Sequence, residues 1–374
     1  MTTSGALGRI DAALPDPGAW KWFRAPGRVN LIGDHTDYND GFVLPVAIDR
    51  DCVVAARPAG TVRVTSLEAG ETIALVADGS EPIDGVSSSW GRLVAAVVRE
   101  LAAVGRAPAG MDAIVASDVP IGSGLSSSAA LEVACAIALA DAAGWSWEPV
   151  ELALACRAAE ELATGVPCGI MDQLISIAGR AGSALLIDCR SLEIQVVSLP
   201  PNLGVLAVYS GQKRALASSA YAERRRSCEA LARAIGVAAL RDATWAQVES
   251  DPIGRHVVSE NDRVLRSVTA IEDADLERLG DLMTASHASL RDDFRVSTPE
   301  LDVLVEVLIA AGALGARLTG AGFGGSVVAV CDVDEMPRLV EATESRYRSL
   351  TGLEPLAFVC QAAAGAGPLQ GPAA

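Results

Sequence analysis

The feature that most constrains this chain is a strand-like segment followed by a glycine turn and an apolar helix. It reads DVPIGSGLSSSAALEVA, from Asp118 to Ala134. A strand is expected to end at Pro120, and a helix is expected to begin near Ser126 and to close near Gly144. Glycines let backbone N–H groups point inward, and a helix start adds unpaired N–H groups and positive dipole, which together bind phosphate. A serine-capped helix after a tight turn would look the same.

Composition excludes several classes of protein. The chain has 374 residues, which favours two domains, and its net charge of −17 argues against binding to nucleic acid or to anionic membranes. The eight cysteines include no C-x-x-C pair, which is typical of reduced thiols. The start of the sequence lacks the features of a signal peptide, and the longest apolar run, residues 133–140, is too short to span a bilayer. We expect a cytoplasmic protein.

Strands and helices are predicted to alternate along the chain. Strands at 42–48 and 52–58 should flank a turn at Asp49–Arg50, and residues 182–200 should form a hairpin. The pattern restarts after Pro200–Pro201, so we expect one domain over 18–200 and a second over 201–362. The Ala-, Gly- and Pro-rich residues 363–374 are expected to be a disordered tail, and the residues before Pro17 to be similarly frayed.

Three further stretches are rich in polar residues or glycine. GRVNLIGDHTDYNDG, residues 27–41, could be an ordinary polar loop or a pocket for a polyhydroxylated molecule. In EELATGVPCGIMDQLIS, residues 160–176, the carboxylate of Asp172 has apolar neighbours and needs a partner or a task, unless it caps a helix. LTGAGFGGSVVAV, residues 318–330, precedes a predicted strand and not a helix, which favours a glycine-rich hairpin over a dinucleotide fingerprint.

Taken in their order along the chain (27–41, 118–134, 160–176 and 318–330), the four stretches resemble the GHMP small-molecule kinases, and within them the members that phosphorylate galactose. The resemblance runs from about Arg24 to about Val330. It implies an α+β fold with a ribosomal-S5-like N-terminal domain, a ferredoxin-like C-terminal domain and an active site in the cleft between them. It also implies ATP-dependent phosphorylation of the anomeric hydroxyl of D-galactose, with Mg²⁺, by a protein that we expect to be a monomer.

The resemblance assigns roles to residues of this chain. It implies that Asp172 is the general base and that Arg28 stabilises charge on the transferred phosphoryl group. The implied sugar contacts are Asp34, His35, Asp37, Gly169 and Tyr221. The implied ATP contacts are Trp90, beside adenine, and the phosphate loop Gly122, Ser123, Gly124, Leu125, Ser126, Ser127 and Ser128. Mg²⁺ would be held by Ser128 and Glu160, whose oxygens are the ligands this ion prefers.

Two positions depart from the family pattern. Asp34 stands where the pattern has Glu, and Arg214–Ala215 replaces a His–Ser pair. Asp is shorter by one methylene, or roughly 1 Å, so a related neutral sugar such as L-arabinose or N-acetylgalactosamine is an alternative substrate. A non-catalytic sugar and ATP sensor is a second alternative, although the serine loop is intact. His256 and His287 are interpreted as structural.

Overall fold

The computed structural model describes residues 5–212 and 217–371. The strands are β1 Lys21–Asn30, β2 Phe42–Val43, β3 Pro45–Ala59, β4 Val62–Ser66, β5 Glu71–Leu75, β6 Gly110–Ser117, β7 Ser183–Asp188, β8 Ile194–Ser198, β9 Leu203–Tyr209, β10 Gly315–Thr319, β11 Ser326–Asp332, β12 Leu356–Cys360 and β13 Gly367–Leu369. The helices are α1 Ala6–Ala13, α2 Ser89–Ala103, α3 Ser127–Ala143, α4 Pro149–Thr164, α5 Met171–Ala178, α6 Ala217–Ile235, α7 Trp245–Val248, α8 Pro252–Glu272, α9 Leu276–Asp292, α10 Pro299–Ala311 and α11 Met336–Thr351. Among these, no helix is both long and apolar enough to cross a bilayer.

A six-stranded mixed sheet, in the order β13-β1-β3-β6-β4-β5, carries the first half of the chain. Helices α3 and α5 pack on β1 and β3, while α2 and α4 pack against α3. Helix α3 is apolar on nearly all sides, and from Ala129 to Ala140 every residue except Leu131 is buried. A helix of this kind belongs in a core, so the start of α3 and the serine loop before it are fixed against the sheet.

A four-stranded antiparallel sheet, β10-β11-β9-β12, forms the second half together with α8 to α11. Helices α9 and α10 pack on β10, and the core between them is lined by Leu, Val and Ala side chains. A three-stranded sheet, β2-β7-β8, contains the predicted hairpin, which is confirmed. Strands β10 and β11 pair directly, so the predicted glycine-rich hairpin is also confirmed. Pro200–Pro201 lies between β8 and β9, and the domain boundary there stays a prediction.

The prediction of frayed ends is wrong for the described residues. Helix α1 packs on β3 and β6, and both oxygens of Asp118 accept the N–H of Ala6. Residues 363–371 fold back along the first sheet, where β13 pairs with β1. Small residues are needed there, because a Cβ at Gly365 would overlap the carbonyl oxygen of Ile177. The segment is held by its backbone, which is why it has no periodic apolar pattern.

The predicted turn at Asp49–Arg50 is also wrong, because β3 runs through both residues as one strand. The strand pairs with β1 along most of its length, across a register shift between Pro26 and Arg28. The charged residues do not break it, since Asp51 accepts hydrogen bonds from Arg24 Nε and Nη2 at 2.8 and 2.9 Å. The register shift immediately precedes the stretch of β1 that carries Arg28.

Candidate active site

A cavity of about 340 Å³ opens where β1, the serine loop, α5, α6 and the β10–β11 hairpin meet. Most of the predicted site residues line it. These are Arg28, Asp34, His35, Asp37, Gly122, Gly124, Ser126, Ser127, Ser128, Glu160, Gly169, Asp172 and Tyr221. The structure therefore brings together residues that are spread over almost two hundred positions of the sequence.

Arg28 and Asp172 form a two-pronged ion pair in the cavity wall. Arg28 Nε donates to Asp172 Oδ1 at 2.8 Å, and Nη2 donates to Oδ2 at 2.7 Å. Ser126 Oγ donates to Oδ2 at 2.5 Å. A carboxylate can accept about four hydrogen bonds, so these three leave Asp172 one acceptor site. Its side chain is 28 % exposed, against 5 % for Arg28, so that site is open to the cavity.

The serine loop is held in an unusual backbone conformation. Gly122 and Gly124 have φ angles of 77° and 89°, which glycine adopts without strain. Ser126 has a φ of 62°, a left-handed conformation that costs a non-glycine residue on the order of 1 kcal/mol. In this conformation the Ser126 hydroxyl donates a hydrogen bond to Asp172. Backbone strain of this kind is concentrated at functional sites. Arg28 Nη1 fixes the loop by donating to Gly124 O at 2.6 Å.

Ser128 and Glu160 meet beside this loop. Ser128 Oγ donates to Glu160 Oε1 at 2.8 Å, and Gln173 Nε2 donates to Glu160 Oε2 at 2.6 Å. Burial, and then the charge of Asp172, raise the pKa of Glu160. A hydroxyl, a carboxylate and room for phosphate oxygens suit Mg²⁺, which binds through one or two carboxylates plus substrate phosphates. A cation here would also offset the repulsion between the two carboxylates, so the residues fit the predicted metal.

Asp34 is held by the C-terminal half of the chain. Its Oδ1 accepts the N–H of Gly320 at 3.0 Å, and its Oδ2 pairs with Arg317, which is fully buried. Arg317 also donates to Ser286 Oγ at 3.1 Å. Burial raises the pKa of Asp34 and Arg317 opposes this, since an adjacent cation favours the ionised form. The carboxylate is thus fixed in direction at the cavity wall.

Asp37 and Gly169 form another part of the wall. Asp37 is partly buried, and the loss of solvent, followed by the charge of Asp172, raises its pKa to about 7. A Cβ at Gly169 would overlap the Asp37 carboxylate, so only glycine fits there. Arg225 Nη1 holds the neighbouring backbone by donating to the carbonyl of Cys168 at 3.1 Å.

Aromatic rings close the same end of the cavity. The His35 ring lies 5.7 Å from Tyr221 and 4.7 Å from Phe294, centre to centre. His35 Nδ1 and the Tyr38 hydroxyl are 2.7 Å apart. Burial lowers the pKa of His35 to about 3, so this ring is neutral at physiological pH. A neutral imidazole next to carboxylates can exchange hydrogen bonds with hydroxyl groups.

Three predicted ATP contacts do not line the cavity. Trp90 lies on α2, where its Nε1 donates to Glu71 Oε1 at 2.5 Å. Ser123 Oγ donates to Pro120 O at 2.8 Å, and the Leu125 side chain is buried in the core. Ser123 and Leu125 therefore support the loop from behind, and the role of Trp90 stays a prediction.

Other predicted positions lie elsewhere. Arg214 and Ala215 fall outside the described residues. His256 is buried with its Nε2 3.1 Å from the carbonyl oxygen of Asp34, and His287 Nε2 lies 3.2 Å from Asp302 Oδ1. Neither histidine lines the cavity.

Sequence reasoning missed several residues of this region. Arg317 sits in the apolar strand β10, and Gln173 immediately follows Asp172. A single buried arginine in an apolar strand is a signal, because such a charge needs a partner. Thr164 and Val166, which also line the cavity, carry no comparable signal.

Comparisons with known proteins agree with this geometry. The sequence matches the galactokinase galactose-binding signature over residues 15–58, the GHMP kinase N-terminal domain over 92–180 and the GHMP kinase C-terminal domain over 267–348. The galactokinase of Roseiflexus sp. (strain RS-1) is 45% identical over 359 residues, which cover 92% of each chain.

Solved structures extend the comparison. The Lactococcus lactis galactokinase complexed with galactose superposes with a TM-score of 0.89 at 30% identity, over 97% of this chain and 98% of that one. The Methanococcus jannaschii mevalonate kinase shares the fold at 18% identity, with a TM-score of 0.69 over 92% of this chain and 99% of that one. The predicted α+β GHMP kinase fold is thus confirmed, and the chain belongs to the galactokinase family.

Proposed function

We propose that this chain transfers the γ-phosphoryl group of ATP to the anomeric hydroxyl of D-galactose, giving α-D-galactose 1-phosphate and ADP. One observation carries the proposal. Asp172, held by Arg28 and Ser126, turns its remaining acceptor site into a cavity lined by the serine loop and by the carboxylates of Asp34 and Asp37. Membership of the galactokinase family supports the same activity.

In the proposed reaction, Asp172 accepts the hydrogen of the sugar O1 hydroxyl. O1 forms a bond to the γ-phosphorus of ATP, and the bond from that phosphorus to the β–γ bridging oxygen breaks, releasing ADP. Phosphoryl transfer depends on positioning and charge stabilisation. Arg28 contributes both, because its guanidinium orients Asp172 and stabilises negative charge that develops nearby.

ATP binding is assigned to the serine loop. The N–H groups before and at the start of α3 suit its phosphates, with Ser127 and Ser128 offering hydroxyls. Ser128 and Glu160 would hold Mg²⁺, which would neutralise phosphate charge when bound.

Recognition of galactose is assigned to the other end of the cavity. Carboxylates accept strong hydrogen bonds from hydroxyl groups, and each can bind two of them. Asp34, Asp37, His35 and Tyr221 are the proposed contacts, and the absence of a side chain at Gly169 lets the Asp37 carboxylate lie against the backbone there. The negative charge of this end disfavours a uronic acid.

ADP release with a panel of sugars tests the proposal. Galactose should give the highest kcat/KM, above N-acetylgalactosamine, arabinose and glucose, while galacturonate should give none. Preferred turnover of glucose or galacturonate would contradict the proposed specificity. Binding of galactose and ATP without ADP release would contradict the proposed catalysis and indicate a sensor.

We also propose that the protein acts as a monomer in the cytoplasm. The cavity wall is assembled from one chain, and the eight cysteines are free thiols, which suits a reducing compartment. Light scattering during size-exclusion chromatography tests the first point, and a dimer mass would contradict it.

A further inference from the structure

A buried polar pair lies behind the proposed cation ligands, outside the cavity. Glu132 and Gln173 are both fully buried, on α3 and α5. Gln173 Nε2 donates to Glu132 Oε2 at 3.2 Å and to Glu160 Oε2 at 2.6 Å. One amide group therefore links a carboxyl in the core to the carboxylate that faces the cavity.

The two oxygens of Glu160 have different surroundings as a result. Oε2 is held from the core by Gln173, with the Cys168 thiol at 3.7 Å. Oε1 accepts from Ser128 at the cavity. Because the amide fixes one oxygen, the carboxylate cannot rotate freely, and the other oxygen stays directed at the proposed cation position.

Stability does not account for this arrangement. Glu132 Oε1 and Gln173 Oε1 have no hydrogen-bond partner among the residues the structure describes. Buried polar atoms without partners destabilise a folded protein, and well-packed apolar side chains would avoid this cost. Burial, and then the charge of Glu160, raise the pKa of Glu132 well above its usual range.

Two adjacent residues of α5 place their side chains in different surroundings. Asp172 points into the cavity, and Gln173, one residue later, points into the core, since successive helical residues are about 100° apart. The same helical turn thus bears the proposed base and the residue that holds a proposed cation ligand.

We propose that Gln173, anchored on Glu132, is a positioning residue that sets the orientation of Glu160 for the divalent cation. This rests on the proposed function, because it assigns Glu160 the cation of the phosphoryl transfer. Partners behind metal ligands commonly determine metal affinity, and their loss costs about 10- to 100-fold.

The test measures cation binding directly. Mn²⁺ is titrated into the full-length protein with ADP present, and free Mn²⁺ is followed by electron paramagnetic resonance. Gln173→Met keeps the size of the side chain and removes both N–H donors. We expect its Mn²⁺ dissociation constant to rise about tenfold or more. The matched control is Gln195→Met, the same change at an exposed residue of β8, which should bind Mn²⁺ as the wild type does.

Galactose binding by calorimetry separates positioning from general damage. Gln173→Met should bind galactose within about twofold of the wild type, whereas equal losses for galactose and Mn²⁺ would overturn the proposal. Unchanged Mn²⁺ binding would also overturn it. If Gln173→Met does not fold, Gln173→Asn keeps the amide on a side chain too short to bridge both carboxyls, and it should show an intermediate loss of Mn²⁺ affinity. An unchanged Mn²⁺ affinity of Gln173→Asn would also overturn the proposal.

The Mn²⁺ titration needs no sugar turnover. A wild-type protein that binds Mn²⁺ and ADP but does not phosphorylate galactose would contradict the proposed function alone. In that case, the free energy of unfolding of Gln173→Met replaces galactose binding as the check for damage, and a loss beyond that of Gln195→Met would overturn the positioning role.

Discussion

Gly169 lies directly against the carboxylate of Asp37, with no room for even a methyl group between them. Because glycine has no side chain, it neither clashes with the Asp37 carboxylate nor desolvates it further. The position of Asp37 in the cavity thus depends on the absence of a side chain at Gly169, 132 positions later in the sequence.

We expect Gly169→Ala to lower kcat/KM for galactose about hundredfold, because a displacement of about 1 Å at a reacting site can cost that much. The added methyl group must move either Asp37 or the backbone beside Asp172. Steady-state kinetics check this, and the KM for ATP should change little. Gly60→Ala is the matched control, since a Cβ there meets open space. Wild-type kinetics in a folded Gly169→Ala protein would contradict the proposed place of Asp37 in the site.

Asp172→Asn should lower kcat by about 10³-fold, within the range ascribed to a positioned acid or base. The amide keeps the shape of the side chain but cannot accept a proton, and its NH₂ group faces the Arg28 donors. Single-turnover phosphorylation measures the step, with calorimetry to show that galactose still binds. Asp262→Asn, at a carboxylate that is 64 % exposed, is the control. A folded Asp172→Asn protein with near wild-type turnover would remove Asp172 from the mechanism.

Asp34→Glu should destabilise the protein by about 1–3 kcal/mol, the usual cost of an extra methylene in a packed interior. Asp34 is 1 % exposed, and its two oxygens already meet Gly320 N–H and Arg317. The longer side chain must displace one of them, so the KM for galactose should also rise. Urea unfolding and kinetics test both effects, with Asp262→Glu as the exposed control. A variant of equal stability and lower KM would show that Arg317 and Gly320 do not fix the shorter side chain.

The raised pKa of Asp37 predicts a pH-dependent stability. The group ionises near 3.8 in the unfolded chain and near 7 in the folded protein. Between these values the unfolded state binds fewer protons, so wild-type stability falls as the pH rises. Asp37→Asn removes this effect. The free energy of unfolding of the variant, relative to that of the wild type, should therefore increase by about 2 kcal/mol between pH 5 and pH 8.

Urea unfolding at a series of pH values measures that difference. Asp262→Asn should track the wild type throughout, because its carboxylate is exposed. A constant difference between Asp37→Asn and the wild type would show that Asp37 titrates with its ordinary pKa.

Much of the candidate site could be predicted because its signals are local. A glycine turn before an apolar helix predicts where Ser128 lies, and a carboxylate among apolar residues singles out Asp172. The resemblance then linked these stretches, and the structure brings Arg28, Ser128 and Asp172 into one cavity.

The rest depends on contacts that leave no local pattern. Arg317 and Asp34 are 283 positions apart, so the sequence around either residue does not show that the two are paired. Gln173 is one polar residue on a short helix, and its role depends on Glu132 of another helix. Strand β13 pairs with β1 through its backbone. Its residues show no alternation of apolar and polar side chains, so hydrophobic periodicity does not predict this strand.

The pairing of β13 with β1 also has a consequence for synthesis. Strand β1 carries Arg28, yet Arg24 on the same strand contacts Gly365, which lies 341 positions later. The ribosome therefore exposes β1 long before the segment that covers its edge exists. An uncovered strand edge can pair with other chains, and such distant contacts form slowly. Until β13 has been synthesised, the nascent chain therefore carries an uncovered edge on the strand that bears Arg28.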